Sequence, residues 1–312
     1  MMRHRAAMKM LRIASIVAAL ALCPFAHAAT VMDETGRRVF VPDAPRRIVS
    51  LAPDISEILF ALGLEKEIVG VSQFSDYPDA AKGKPKVGSY VSLSLERILS
   101  LSPDLVIGTT NGNRREAVNR LEQAGLNVYV VNPERFSDIY RTIINLGRIT
   151  GRETAARQLA DSMRKRAERI VSRTASCPRP KVFVQIDSHP LVTVGGSTIY
   201  SELIAMAGGH NIAARAPGKY PRYNLEALIS KQPDVILLSP MVQRASRNGD
   251  LDFWSRWQSI PAVRNSRIHL VNADLTDRFS PRIVQGLEEI AGILHPERTG
   301  RQRPRECSGR RR

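Results

Sequence analysis

Cysteine is scarce in this chain: three in 312 residues, at Cys23, Cys177 and Cys307. Three thiols spread that widely make neither a disulfide framework nor a thiolate zinc site. Aromatic residues are few as well, 5% of the sequence, so an aromatic standing in a loop rather than at a core position is informative. No apolar run reaches the roughly 20 residues that a membrane-spanning helix needs. Phosphate-binding and nucleophile motifs are missing: there is no Walker loop and no G-x-S-x-G elbow. Four histidines lie beyond residue 28, at His189, His210, His269 and His295, and none is spaced as a helical or hairpin metal pair. These absences leave no catalytic constellation. An enzyme is not expected; an exported metal-dependent enzyme would need His189, His210 or His269 to converge with an acid such as Asp274.

Acidic residues are outnumbered, 30 Asp and Glu against 46 Lys and Arg, for a net charge of +16. Taken whole, that balance suggests nucleic acid or an anionic membrane surface. Its distribution removes the first reading. Residues 1–28 hold four bases and no acid, residues 298–312 hold seven arginines and one Glu, and residues 29–297 keep only +6. No nucleic-acid partner is expected. The first 28 residues read as a cleaved signal peptide: basic to Arg12, apolar from Ile13 to about Phe25, then the small-x-small Ala26-His27-Ala28. Leu22 before Cys23 is not a lipobox residue, so a free periplasmic protein is expected. Cleavage leaves Cys177 and Cys307, for which no structural role is expected. Residues 298–312 read as an Arg-rich disordered tail.

What the chain does have is alternation. Ile48-Val49-Ser50-Leu51, Ile68-Val69-Gly70-Val71, Asp104-Leu105-Val106-Ile107 and Val128 to Val131 read as strands. Helical stretches stand between them at Ser56–Leu64, Leu95–Leu101 and Arg114–Ala124. The rhythm stops from about Ser137 to Ser176, where Ile139, Ile143, Leu146, Ile149, Leu159, Met163 and Ile170 keep helical spacing. This stretch reads as one long helix, with a bend allowed near Gly151. Alternation then resumes: strands at Val182–Ile186, Val235–Leu238 and Ile268–Val271, helices at Thr198–Ala207 and Pro281–Leu294. The pattern predicts an α/β fold with mainly parallel sheets. The domains are then a signal peptide (1–28), an N-terminal lobe (29–136), a linking helix (137–176), a C-terminal lobe (177–297) and the tail.

An internal echo supports two equivalent lobes. Residues 94–104 read SLERILSLSPD and residues 224–234 read NLEALISKQPD. Ser94 and Asn224 are good N-caps. Each starts a short amphipathic helix, with Glu96 and Glu226 at matched first-turn positions, where a carboxylate also suits the helix dipole. The pairing favours a surface role shared by the two lobes.

The tyrosines point to a cleft. Tyr77 lies in Ser75-Asp76-Tyr77-Pro78, Tyr90 in Gly88-Ser89-Tyr90, and Tyr220 in Gly218-Lys219-Tyr220-Pro221. Aromatics in loops at the strand ends of an α/β fold suit a large planar ligand; a wet hydroxyl over loop hydrophobics is the plainer alternative. Asn272-Ala273-Asp274 and Arg278 follow the last strand and add polar contacts. Gly195-Gly196 reads as a tight turn rather than an anion cradle.

These segments resemble a known group, the periplasmic binding proteins that serve ABC importers for cobalamin, haem and ferric siderophores. The resemblance rests on Arg47-Ile48-Val49-Ser50-Leu51-Ala52-Pro53, Ser56-Glu57-Ile58-Leu59-Phe60-Ala61-Leu62-Gly63, Val69-Gly70-Val71-Ser72, Lys86-Val87-Gly88, Ser102 to Ile107 and Ala207-Gly208-Gly209-His210-Asn211-Ile212. It covers roughly residues 33–296. It implies two Rossmann-like lobes joined by one long rigid helix, with the ligand held between them. Ser75 to Pro78, Leu95 to Ile98, Asn111-Gly112-Asn113 and Arg278 to Ile283 are most similar to the cobalamin-binding branch. By that likeness Tyr77, Tyr90, Tyr220, Asp274 and Arg278 fall at ligand-contacting positions. Glu96 and Glu226 become the acids that dock on permease arginines. No cofactor or metal of the protein's own is implied; the cobalt would belong to a corrinoid ligand, and a monomer is expected. The chain departs from the branch at Thr109, Val192 and Leu275, where aromatics are expected, and at Ala207, where a cysteine is expected. Haem binders of the group place a tyrosine directly after Lys-Val-Gly, where Ser89 stands here. Anionic siderophores call for a cluster of cleft arginines, and the loops offer one firm candidate, Arg278.

Overall fold

The computed structural model describes residues 29–239 and 253–299. The signal-peptide reading of 1–28, and the tail from residue 300 with Cys307, lie outside the described residues.

The chain opens with an antiparallel hairpin, β1 (Ala29–Met32) and β2 (Arg38–Val41), whose Val39 and Val41 face the core. The N-terminal lobe follows: β3 (Ile48–Ser50), α1 (Pro53–Ala61), β4 (Ile68–Val71), α2 (Leu95–Ser100), β5 (Leu105–Thr109), α3 (Arg115–Gln123) and β6 (Val128–Val131). Its strands are all parallel in the order β4-β3-β5-β6. Their unbroken apolar runs suit strands covered on both faces, and β5 and β6 are buried throughout.

Two helices come next, α4 (Phe136–Ile149) and α5 (Glu153–Thr174). The expected single helix over 137–176 is therefore corrected to an antiparallel helical pair. Gly151 leaves the helical region with φ +69° and ends α4. At Gly147 an added Cβ would stand 2.2 Å from the Ala156 Cβ, so only glycine lets α5 fold back this closely. Both helices keep one apolar periodicity, which is why the break is invisible to spacing alone. The 22 residues of α5 span about 33 Å and form the one long helix that joins the lobes.

The C-terminal lobe contains β7 (Lys181–Gln185), a small antiparallel pair β8 (Asp187–Ser188) and β9 (Leu191–Val192), α6 (Ile199–Met206), β10 (His210–Asn211), α7 (Leu225–Lys231), β11 (Val235–Leu238), β12 (Ile268–Leu270) and α8 (Ile283–Leu294). The order β10-β7-β11-β12 is again all parallel. Each lobe thus places its second strand outside the first and its third and fourth on the other side. A further helical turn, Pro296–Thr299, occupies the start of the stretch expected to be tail.

The internal echo is structural in detail. Ser94 Oγ accepts the Arg97 amide at 3.3 Å, and Asn224 Oδ1 accepts the Glu226 amide at 2.7 Å. Ser102 (φ 44°) and Gln232 (φ 51°) are both left-handed, immediately before the Pro-Asp pairs. Asp104 then accepts the Arg47 amide at 3.1 Å and Asp234 the Lys181 amide at 2.8 Å, so the same side chain ties down the entry to each lobe's first sheet strand.

Cys177 is buried, its Sγ 3.8 Å from the Arg173 carbonyl. Ala207 is buried, and its carbonyl lies 3.1 Å from His295 Nε2. Among the described residues no helix is long and apolar enough to cross a membrane.

Candidate functional site

In an open parallel sheet, ligands bind beyond the carboxyl ends of the strands where the strand order reverses. Here those points lie after β3 and β5 in one lobe and after β7 and β11 in the other. The two crevices face each other, because side chains from the first reach side chains following β12.

The N-terminal wall is fixed by polar side chains under the loops. Asn113 accepts the Thr109 amide at 2.9 Å and donates towards the carbonyls of Leu51 (3.4 Å) and Tyr90 (3.3 Å). One side chain thereby joins the ends of β3 and β5 to the turn carrying Tyr90. Four buried hydroxyls form a chain, Ser50 to Ser56 (2.9 Å), Ser56 to Ser75 (2.8 Å) and Ser75 to Ser72 (3.0 Å). With Lys86 Nζ donating to the Ser75 carbonyl at 2.7 Å and the Ala81 carbonyl at 2.9 Å, they set the loop that presents Asp76 and Tyr77.

Whereas Tyr77 is exposed, Tyr90 is half-buried. Its ring stacks on Phe74 at 6.0 Å and 25° and covers Gly112, where a Cβ would approach within 2.6 Å of it. Burial pushes its hydroxyl pKa upward, with nearby Asp54 adding to the rise. Tyr77 and Tyr220 are exposed. Tyr220 stands on a loop whose neighbours Lys219 and Pro221 accept the amides of Gly195 (2.8 Å) and Thr193 (3.1 Å). Gly195 and Gly196 are accounted for by this close backbone contact: a Cβ on either would lie about 2 Å from a carbonyl oxygen of the facing loop, 2.1 Å at Gly195 and 2.3 Å at Gly196.

At the centre is a charged cluster that crosses between the lobes. Glu57, on α1, accepts from Arg282 through both oxygens (Nη2–Oε1 2.6 Å, Nε–Oε2 2.8 Å) and from Arg278 Nη1 at 3.0 Å. Arg278 also meets Asp76 at 3.1 Å and Asp274 at 2.6 Å. The Arg282 guanidinium lies 3.9 Å above the Tyr77 ring, a cation–π contact. The structure thus brings Tyr77, Asp274 and Arg278 together. Glu57, Asp76 and Arg282 do not stand out in the sequence, and the one cleft arginine expected is corrected to two in this cluster among the described residues. A signal for Glu57 existed: an acid inside Ile55-Ser56-Glu57-Ile58-Leu59 with no base three or four residues away needs a partner from elsewhere.

Two further carboxyls line this region. Asp54 is buried and its Oδ1 has no hydrogen-bond partner among the described residues. Desolvation, with Glu57 adding to it, pushes its pKa up to about 6. Asp277 likewise has Oδ2 unpartnered among them, and burial pushes it up to about 7. Of the positions where an aromatic was expected, Thr109 is buried, and Val192 and Leu275 are half-buried.

Glu96 and Glu226 are both exposed, in the first turn of α2 and α7. Neither forms an ion pair among the described residues, so both carboxylates remain available. The four histidines are dispersed, and no group of three His, Cys, Asp or Glu able to hold a metal occurs among the described residues.

Comparison with known proteins fits this geometry. The family model described as periplasmic binding protein matches residues 48–275. The Vitamin B12-binding protein of Vibrio vulnificus is 32% identical over 245 residues, 78% of this chain and 88% of the relative. The crystal structure of the periplasmic vitamin B12 binding protein BtuF of Vibrio cholerae superposes with a TM-score of 0.72 at 30% identity, covering 81% of this chain and 98% of that one. The apo periplasmic heme-binding protein RhuT from Roseiflexus sp. RS-1 gives 0.73 at 28% identity, covering 80% and 98%. Members of such a family carry solutes to ABC transporters rather than transform them. Two like lobes, a joining helix and a cleft between their switch points are what that work requires, and this chain belongs to the periplasmic binding protein family.

Proposed function

We propose that the protein captures a corrinoid, with cobalamin the first choice, between its lobes in the periplasm and delivers it to an ABC importer. A cleaved leader over residues 1–28 and a monomeric state complete the reading. One observation carries it. Both guanidiniums of the central cluster are consumed by the protein's own acids: three carboxylates, Glu57, Asp76 and Asp274, surround Arg278 and Arg282. Within this cluster the described residues therefore offer polar groups and the Tyr77 ring without surplus positive charge. A neutral ring edged with amides suits it; haem or an anionic siderophore, whose acid groups seek free arginines, suits it less. Tyr77, Tyr90 and Tyr220 would face the ring. The rim of Asp274 and Arg278 would bond its amides. Glu96 and Glu226, one per lobe, would dock on basic residues of the permease.

Titration calorimetry with cyanocobalamin tests the reading. Saturable binding at micromolar concentration or tighter is expected; its absence, with binding of haem or a ferric siderophore in parallel cells, would replace the corrinoid by that ligand.

A further inference from the structure

Glu57 is not among the residues that a ligand would touch first. It is almost wholly buried, its side chain 2% exposed, yet it holds two guanidiniums of the opposite lobe, each itself only 14% exposed. Its contact with Arg282 is bidentate, and Arg278 shares one of the same oxygens. Asp76 and Asp274, by contrast, are about half exposed, at 53% and 44%, and hold only the outer side of Arg278. Removing the Glu57 charge would leave Arg282 with no acid from this cluster and Arg278 with its two wet ones. Both forks would then be free to engage a carboxylate, hydroxamate or phosphate bidentately.

We infer that Glu57 is the specificity-determining residue of the cleft, acting through Arg278 and Arg282: by occupying both guanidiniums from across the cleft it excludes anionic chelates and holds the lobes at the spacing of an uncharged one. It is a positioning residue, since it acts on the ligand only through the two arginines. The inference rests on the corrinoid reading for its choice of probe but not for its physics. A buried carboxylate that spans the lobes couples ligand charge to lobe closure, because an anion that captures Arg278 or Arg282 must first break the link that keeps them in place.

The test compares two corrins of one ring shape and different charge, cyanocobinamide with its amides and dicyanocobyrinic acid with carboxylates in their place. The native protein is expected to prefer the amide form by at least about tenfold, roughly the 1.4 kcal/mol of one lost charge-assisted contact. Glu57→Gln is expected to cut that preference about tenfold or more, mainly by binding the carboxylate form more tightly. Hydrogen exchange in the ligand-free protein is expected to quicken together at residues 54–58 and 278–285. Equal weakening of both probes, or an unchanged ratio, would overturn the inference and leave Glu57 a structural residue. Should Glu57→Gln fail to fold, Asp76→Asn with Asp274→Asn frees the outer side of Arg278 and must move the ratio in the same direction by a smaller factor. Should neither corrin bind, the corrinoid reading fails alone. The same ratio is then measured between haem, with its two propionates, and uncharged ferrichrome, and a ratio that Glu57→Gln leaves unmoved overturns the inference there too.

Discussion

Arg278 and Glu57 meet at 3.0 Å across the cleft, although 221 residues separate them in the chain. The pair closes a loop of structure that begins at the joining helix, so the two lobes are connected at both ends: covalently through α5 and electrostatically through the cleft floor. Large hinge motion would have to separate this buried ion pair and rehydrate both of its charges.

Tyr77 is held by that cluster as well as serving it. Tyr77→Ala removes a ring face from the cleft and the cation–π contact with Arg282, which lies 3.9 Å away. Such contacts contribute about 0.5–2 kcal/mol. Corrinoid affinity is expected to fall about tenfold, measured by calorimetry, with the melting temperature lowered only slightly because Tyr77 is exposed.

Gly112 makes room for Tyr90. Gly112→Ala would place a methyl 2.6 Å from the ring, forcing the ring off Phe74. Overpacking of this kind costs about 1–3 kcal/mol. Weaker ligand binding and a shift in the near-ultraviolet circular dichroism of the tyrosines are expected together.

A second cross-lobe contact stands at the hinge. Glu202, on α6, accepts the Phe136 amide at 2.8 Å and so caps the first turn of α4 from the other lobe. Glu202→Ala leaves that amide without its acceptor, at a cost of about 1–2 kcal/mol. Urea unfolding is expected to show the loss, and hydrogen exchange at Phe136 should quicken before that of the sheet strands.

Asp54 and Asp277 give stability a distinctive pH dependence. Their folded pKa values, about 6 and about 7, lie above the ordinary carboxylate value. From about pH 4 to pH 7 the folded protein therefore holds protons that the unfolded chain has released. Their contribution is fully present below about pH 4 and is lost as pH rises to about 7. Urea unfolding of Asp54→Asn and Asp277→Asn should match the parent near pH 4 and exceed it near pH 8, by up to about 3 kcal/mol at Asp54 and about 4 kcal/mol at Asp277. A parent that is the more stable at pH 8 would refute this.

Docking is predicted to be separable from capture. Glu96→Lys with Glu226→Lys should abolish permease-dependent uptake into vesicles while leaving calorimetric affinity within about twofold, since both side chains are exposed in helices α2 and α7. Loss of affinity to the same degree would place these acids elsewhere in the mechanism.

Seven of the eight strands in the two parallel sheets are legible in the sequence because buried parallel strands are short β-branched runs bounded by turn residues; β10, His210–Asn211, is too short and too polar to be read that way. The repeat of residues 94–104 at 224–234 predicts matched helices, and caps and Pro-Asp entries follow suit. The hairpin of β1 and β2 is not legible, since Arg38 and Phe40 point outward and only two of its residues, Val39 and Val41, are buried. The break between α4 and α5 is hidden because the fold-back preserves the apolar spacing. The site divides the same way. Loop tyrosines declare themselves, whereas Glu57, Asp76 and Arg282 matter only through a juxtaposition that tertiary structure creates.

The doubled helix entries have one more consequence. A cargo protein whose two halves present the same short helix, cap and acid offers a transporter two nearly interchangeable grips, so engagement with the lobes exchanged would be almost degenerate. The two differ in where the base stands: Arg97 directly follows Glu96, whereas the second helix has Ala227 there and its base, Lys231, at the position of Leu101. Each helix thus carries one acid and one base, but the base stands beside the acid in one half and over a turn away in the other, so the two grips would differ electrically to a partner.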